Sequence, residues 1–141
     1  MHFIIETPIP KDFKNTFSKF DKKLFESLKP PLMSLKVDRF DGCKKGDEVH
    51  LRINGQVWVS HITDFFESDT EIYFIDVGIV IPFPIKTWKH THLVKKVDEN
   101  NCLVIDDIEF STGNYLVDRL MHPILYAMFS LRGPIYKREL A

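Results

Sequence analysis

The sequence predicts an α+β fold: a mainly antiparallel sheet of about seven strands, two short helices after the first strand, and a long helix at the end. Three observations support this prediction. Apolar residues recur at helical spacing between residues 10 and 29, alternate with a period of two between 32 and 110, and return to helical spacing from 113 to 141. Nothing in the 141 residues suggests a domain boundary, so we expect one domain spanning 1–141.

Composition and charge exclude several classes of function. The net charge of −1 gives no general attraction to nucleic acid or to an anionic membrane surface. No stretch approaches about 18 apolar residues, and residues 1–6 lack the features of a signal peptide. We therefore expect a cytoplasmic protein without stable membrane insertion. Cys43 and Cys102 are the only cysteines and form no CxxC motif, so we expect free thiols.

The first strand and the two short helices precede residue 30. An apolar run at residues 2–6 closes at Pro8 and Pro10, which is typical of a strand ended by a turn. Helix is predicted from about Pro10, and Asp21 lies where it could cap a second helix. Pro30-Pro31 ends this region, because a residue that precedes proline disfavours helical backbone.

Turn signals divide the period-two region into strands. Gly42 to Gly46 is predicted to form the loop between strands at about 35–40 and 49–53. Asn54-Gly55 is the strongest hairpin signal in the chain. Further strands are predicted at about 56–66, 71–80, 85–97 and 102–110. Alternation alone does not decide which side of the strand at 56–66 faces inward.

The final helix carries an apolar stripe that is predicted to lie across the concave face of the sheet. Pro123 removes one backbone donor and predicts a kink, while Gly133-Pro134 predicts a second bend. The inward-facing residues are expected to be Val117, Met121, Ile124 and Met128.

Several segments resemble the START-like (SRPBCC) superfamily of helix-grip proteins, which includes the birch-pollen-allergen fold and polyketide cyclase/dehydrase-like proteins. They are residues 35–40, 46–51, 74–76, 88–92, 106–110 and 128–132, and the W-x-H-x-H motif at 88–92 is moderately specific. That motif is similar to one in a bacterial ligand-binding branch. The resemblance spans essentially the whole chain and implies a curved sheet gripping the last helix around a largely apolar cavity. It does not imply one reaction, because the superfamily includes carriers as well as cyclases.

The candidate site lies on the strand at 85–97. Trp88, His90 and His92 share one parity, so their side chains point to one side of the sheet, which we assign to the cavity. Buried imidazoles need hydrogen-bond partners, which Asp76, Arg39 or a water could supply. The ligand-binding residues are expected to be Arg39, Trp58, His61, Asp76, Phe83, Trp88, His90, His92, Phe110, Val117, Met121, Ile124 and Met128.

The histidine pair could support three kinds of chemistry. Two histidines at i and i+2 can chelate a metal, but zinc needs a third and usually a fourth ligand, and none stands in recognisable spacing. Paired with Asp76, His90 or His92 could instead act as a catalytic acid or base. We predict no metal and no cofactor, and expect the imidazoles to orient a carbonyl, hydroxyl or carboxylate of a ligand.

Three functions remain as hypotheses. The favoured one is a binding protein for a small hydrophobic or amphipathic molecule, such as a lipid or a polycyclic, polyketide-like compound. The second is an enzyme of cyclase or dehydratase type that uses His90 and His92. The third is a protein-interaction module with a filled core. The sequence identifies no protein partner.

Overall fold

The computed structural model describes all 141 residues and confirms the predicted fold class. The strands are β1 (His2–Ile9), β2 (Leu35–Phe40), β3 (Glu48–Ile53), β4 (Gln56–Glu67), β5 (Glu71–Val80), β6 (Thr87–Asp98) and β7 (Asn101–Ser111). The helices are α1 (Phe13–Phe17), α2 (Lys22–Ser27), α3 (Tyr115–Ser130) and α4 (Arg132–Leu140).

The seven strands form one curved antiparallel sheet in the order β1-β7-β6-β5-β4-β3-β2. Strands β2 to β7 therefore lie next to one another in chain order, and β7 also pairs with β1 at the edge of the sheet. Of the two prolines predicted to close the first strand, Pro8 lies within β1, and the strand ends at Ile9, directly before Pro10. Proline is tolerated there since β1 is an edge strand, where a missing backbone donor costs little.

Local signals set several boundaries as the sequence predicts. Asn54 and Gly55 both have positive φ, +50° and +77°, as a tight two-residue hairpin turn requires, and they join β3 to β4. α1 begins at Phe13 and not near Pro10, because Asp12 caps it by accepting a hydrogen bond from the backbone N–H of Asn15. Asp21 caps α2 by accepting one from Leu24.

The helices cover one face of the sheet and bury two apolar clusters on it. In the first, Phe13 of α1 and Leu24 of α2 lie in one cluster with Phe74 of β5 and Tyr136 of α4. In the second, residues of β1, β6 and β7 form the floor below Leu125 of α3. A cavity remains between these clusters, beside α3.

The predicted long helix is divided at Leu131, which ends α3 and precedes α4. Pro134 therefore lies in the first turn of α4, where a missing backbone N–H breaks no intrahelical bond. Pro123 lies inside α3. None of the helices has the length and apolarity needed to cross a membrane.

The inward side of α3 differs from the predicted one at Ile124. Its side chain is 60% exposed, whereas Leu125 is only 9% exposed and packs on the sheet. Val117, Met121 and Met128 are half-buried, as a stripe centred close to Leu125 requires. The prediction for Ile124 is wrong because α3 has apolar residues on both faces, so helical spacing alone does not fix which face turns inward.

Candidate functional site

A cavity of about 300 Å³ lies between α3 and the sheet. Its wall is mainly apolar and includes Val49, Leu51, Trp58, Trp88, Leu125 and Met128. Polar groups are concentrated at one part of the wall, where Ser60, Asp76, His90, His92 and Arg132 lie. An apolar cavity with a few converging polar groups is the usual composition of a small-molecule site.

The structure resolves which side of β4 faces this cavity. Trp58 and Ser60 line the cavity, and the indole N–H of Trp58 donates to the Ser60 hydroxyl at 2.9 Å. The alternate residues point to the opposite face, where Val57 is exposed and His61 contacts Glu48 at 3.3 Å. Trp58 also packs edge-on against Trp88, with 5.1 Å between ring centroids.

Two buried histidine–carboxylate pairs form the polar part of the site. The Nε2 of His90 lies 2.8 Å from Oδ1 of Asp106, and the Nε2 of His92 lies 2.6 Å from Oδ2 of Asp76. Strand register explains this convergence, because His90 stands opposite Asp76 on β5 while His92 stands opposite Asp106 on β7. Each histidine therefore bonds to the carboxylate that stands opposite the other histidine. Asp76 is a partner that the sequence predicts, whereas Asp106 is not.

The two imidazole rings stack on each other with 3.6 Å between centroids. The other face of His92 stacks on Phe74 at 4.3 Å. Both histidine side chains are only 4% exposed. This packing holds the rings in fixed orientations and excludes bulk water from the hydrogen bonds they make.

Asp106 connects the sheet to α4. Its Oδ1 accepts from the Tyr136 hydroxyl at 3.2 Å and lies 3.5 Å from a guanidinium nitrogen of Arg132. Burial by itself raises the pKa of Asp106, but the hydrogen bond from His90 and the charge of Arg132 outweigh it and lower the pKa to about 2. Burial also raises the pKa of Tyr136 above its usual range. Asp106 is thus an anion and Tyr136 a neutral donor at physiological pH.

His92 is neutral at physiological pH. Burial and the neighbouring His90 lower its pKa to about 4, and the attraction of Asp76 only partly offsets them. The hydrogen bond from His92 outweighs the effect of burial on Asp76 and lowers the pKa of that carboxyl, so Asp76 is ionised. Nε2 of His92 is therefore the donor to Asp76, and Nδ1 is left as an acceptor. Nδ1 is buried without a partner, as is Oδ2 of Asp106.

Asp76, His90 and His92 are the residues that could hold a metal ion, since one donor atom from each lies within 4.8 Å of the others. Three ligands would match an open catalytic zinc site. In this structure, however, Nε2 of His92 is hydrogen-bonded to Asp76 at 2.6 Å, and Nε2 of His90 is hydrogen-bonded to Asp106, which is outside this group of three, at 2.8 Å. The geometry therefore fits two hydrogen-bonded pairs better than a shared ion.

The structure brings together six of the predicted ligand-binding residues. Those that line the cavity are Trp58, Asp76, Trp88, His90, His92 and Met128. Those that do not are Arg39, His61, Phe83, Phe110, Val117, Met121 and Ile124.

Local geometry explains the positions outside the cavity. An irregularity in the β2–β3 pairing lies between Val37 and Arg39, and Arg39 makes a two-pronged ion pair with Asp41 at the surface. Phe83 is 93% exposed on the loop between β5 and β6, although the neighbouring Pro82 lines the cavity. Phe110 is fully buried in the sheet floor below α3, where it packs with Phe3, Trp88 and Leu125 and does not reach the cavity.

Asp106, Arg132 and Tyr136 belong to the polar network of the site but are not predicted from the sequence. Asp106 had a detectable signal, because it shares parity with Val104 and Ile108, which are both apolar. An acidic residue in the buried parity of a strand requires a partner, and that requirement points to a polar site. Arg132 and Tyr136 gave no comparable signal, because polar and aromatic residues are common around a helix.

Comparison with solved structures identifies the architecture. The protein XoxI from Bacillus cereus is 17% identical with a TM-score of 0.73, over 99% of this chain and 94% of that one. A hypothetical protein from Helicobacter pylori is 11% identical with a TM-score of 0.71, over 100% of this chain and 88% of that one. A truncated norcoclaurine synthase from Thalictrum flavum is 10% identical with a TM-score of 0.69, over 98% of this chain and 92% of that one.

No family model and no curated protein sequence matches the chain. At 10–17% identity, the likeness to these structures concerns the backbone and carries no activity from one protein to another. Together with the seven-stranded curved sheet and the C-terminal helix that packs on it, the likeness shows that this chain has the helix-grip fold.

Proposed function

We propose that this protein binds a small hydrophobic or amphipathic molecule in the cavity between the sheet and α3. The observation that carries the proposal is the open volume of about 300 Å³. Protein interiors are close-packed, and a void of this size forgoes many favourable contacts between side chains. A ligand would restore those contacts. The volume is at the lower end of the range for small-molecule sites, which favours one compact ligand.

The cavity also separates this proposal from the interaction-module hypothesis, which requires a filled core. The apolar wall supplies the driving force for binding, because each Å² of apolar surface removed from water contributes roughly 25 cal/mol. The polar groups at Asp76, His90, His92 and Arg132 would orient one end of the ligand. Binding in one orientation is what an amphipathic molecule would show.

Tryptophan fluorescence offers a direct test. Trp58 and Trp88 line the cavity 5.1 Å apart, so a lipid or polycyclic aromatic that enters should shift or quench their emission saturably. Trp88→Phe should remove most of the change while leaving the far-ultraviolet circular dichroism intact. Mass spectrometry of organic extracts from the purified protein would identify a co-purifying ligand. A broad panel without any saturable response would contradict the proposal.

The enzyme hypothesis has one specific observation in its favour, the buried pair of neutral His92 and ionised Asp76, which is an arrangement found in general bases. A base must reach the proton it removes. Nε2 of His92 is bonded to Asp76, and Nδ1 has no accessible surface. For this reason we place binding ahead of cyclase or dehydratase chemistry.

A further inference from the structure

We infer that the polar end of the ligand is a cation, specifically a protonated amine, bound at the carboxylate of Asp76. The inference rests on the proposed binding function and narrows it to one class of ligand. An ammonium group differs from the carbonyl, hydroxyl or carboxylate that is expected from the sequence. The basis of the inference is the distribution of charge around the cavity.

The cavity wall contains two charged side chains, Asp76 and Arg132. The guanidinium of Arg132 pairs with a different carboxylate, Asp106, at 3.5 Å. It also lies over the ring of Phe129 at 4.3 Å. Tyr136 donates to the same Asp106. The guanidinium and Asp106 therefore largely compensate each other, and Arg132 offers little net attraction to an anion.

The negative charge of Asp76 is not balanced by a lysine or an arginine. Its ion-pair partners are histidines alone, His92 at 2.6 Å and Nδ1 of His90 at 3.9 Å. The side chain is nevertheless only 13% exposed, and the surface it presents belongs to the cavity. A carboxylate that lines an apolar cavity without a lysine or arginine partner is costly, and an ammonium group placed beside it would offset that cost.

The net charge of the site disfavours a negatively charged ligand. With His92 neutral, the two carboxylates and one guanidinium carry a net charge of −1 if His90 is neutral and zero if His90 is protonated. In neither state is the cluster positive. A ligand carboxylate would have to enter a neutral or negative site with little bulk water to screen the repulsion, which is unfavourable. The remaining polar wall residues, Asn54, Gln56 and Ser60, are uncharged.

Three ligands with one skeleton test the inference on the unmodified protein: naphthalen-2-ylmethylamine, naphthalen-2-ylmethanol and naphthalene-2-carboxylate. Their affinities can be measured near pH 7 by calorimetry and by displacement of the neutral fluorescent probe N-phenyl-1-naphthylamine. We expect the amine to bind roughly tenfold more tightly than the alcohol, and the carboxylate to bind most weakly. Equal binding of amine and carboxylate, or preference for the carboxylate, would overturn the inference.

Asp76→Asn identifies the residue responsible, because asparagine keeps the size of the side chain and can still accept from His92. This variant should lose roughly the tenfold advantage of the amine and leave the alcohol nearly unchanged. Asp64→Asn, which removes an exposed carboxylate from the same sheet, should leave the preference intact. If the amine advantage survives in Asp76→Asn, the assignment to Asp76 is wrong. Failure of the probe and all three ligands to bind would instead refute the binding function itself.

Discussion

The imidazoles of His90 and His92 stack at 3.6 Å, yet each is bonded to a carboxylate on a different strand. His90 reaches across to Asp106 on β7, and His92 reaches across to Asp76 on β5. The pair thus connects three adjacent strands within the sheet. Because Asp106 also contacts Arg132, the network continues into α4. The stability of the fold should therefore depend on side chains of the candidate site.

Asp106→Asn tests this dependence. Asparagine preserves the volume of the side chain but removes the charge, which leaves the guanidinium of Arg132, whose side chain is only 19% exposed, without its anionic partner. Breaking a buried pair in this way costs about 3–5 kcal/mol. Urea unfolding followed by circular dichroism should show a lower midpoint with an unchanged slope.

The neighbouring Asp107→Asn is the matched control for that substitution. Asp107 lies on the opposite face of β7, where it is partly exposed and pairs with His2. Its replacement should have little effect, since surface pairs contribute little to stability. Equal midpoints for the two variants would mean that the Asp106 network does not stabilise the fold.

The pKa of His92 predicts a dependence of stability on pH. Its value is about 4 in the folded chain, whereas an unperturbed histidine titrates near about 6.5. Between these values the unfolded chain takes up a proton that the folded chain does not. The free energy of unfolding should therefore be highest above about pH 6.5 and decrease as the pH falls toward 4. The low pKa values of Asp76 and Asp106 predict a further decrease below about pH 4.

Nuclear magnetic resonance titration of the histidine rings measures the pKa of His92 directly. His92 should remain neutral until the pH falls to about 4. His92→Gln should weaken the pH dependence between 6.5 and 4, because glutamine does not titrate but can still donate to Asp76. A measured pKa near 6.5 for His92 would contradict both its burial and this stability profile.

Much of the fold follows from signals that act over a few residues. Alternating hydrophobicity, the positive φ values at Asn54-Gly55 and the caps at Asp12 and Asp21 each depend on near neighbours. The parity of β6 likewise depends on strand geometry alone. It was sufficient to predict that Trp88, His90 and His92 face the same side.

The site could be predicted only in part, because its other members depend on longer-range geometry. A local irregularity between Val37 and Arg39 breaks the simple alternation of β2, and the periodic pattern contains no sign of it. The choice between Ile124 and Leu125 depends on how α3 rotates against the sheet. The contact between Asp106 and Arg132 joins residues 26 positions apart and requires the docked position of α4.

The rotation of α3 can be tested with two adjacent alanine substitutions. Leu125→Ala removes a buried side chain from the sheet floor and should cost about 2–5 kcal/mol. Ile124→Ala removes a side chain that is mostly in water and should cost much less. Both variants have the same helix propensity at the new residue, so the difference between their unfolding free energies reports burial. A larger loss at Ile124 would support the helix orientation that the sequence predicts, with Ile124 inward.

Narrowing the cavity tests whether its volume is the binding site. Leu51 lines the cavity opposite Trp58, and Leu51→Phe would extend an aromatic ring into the open space. Because the ring fills a void and displaces no packed side chain, we expect stability to change by less than about 1.5 kcal/mol. Affinity for N-phenyl-1-naphthylamine should fall by roughly tenfold or more, since the ring removes volume that the probe needs. Val57→Phe places the same ring on the exposed opposite face of β4 and should leave affinity unchanged. Undiminished binding in Leu51→Phe would locate the probe outside this cavity.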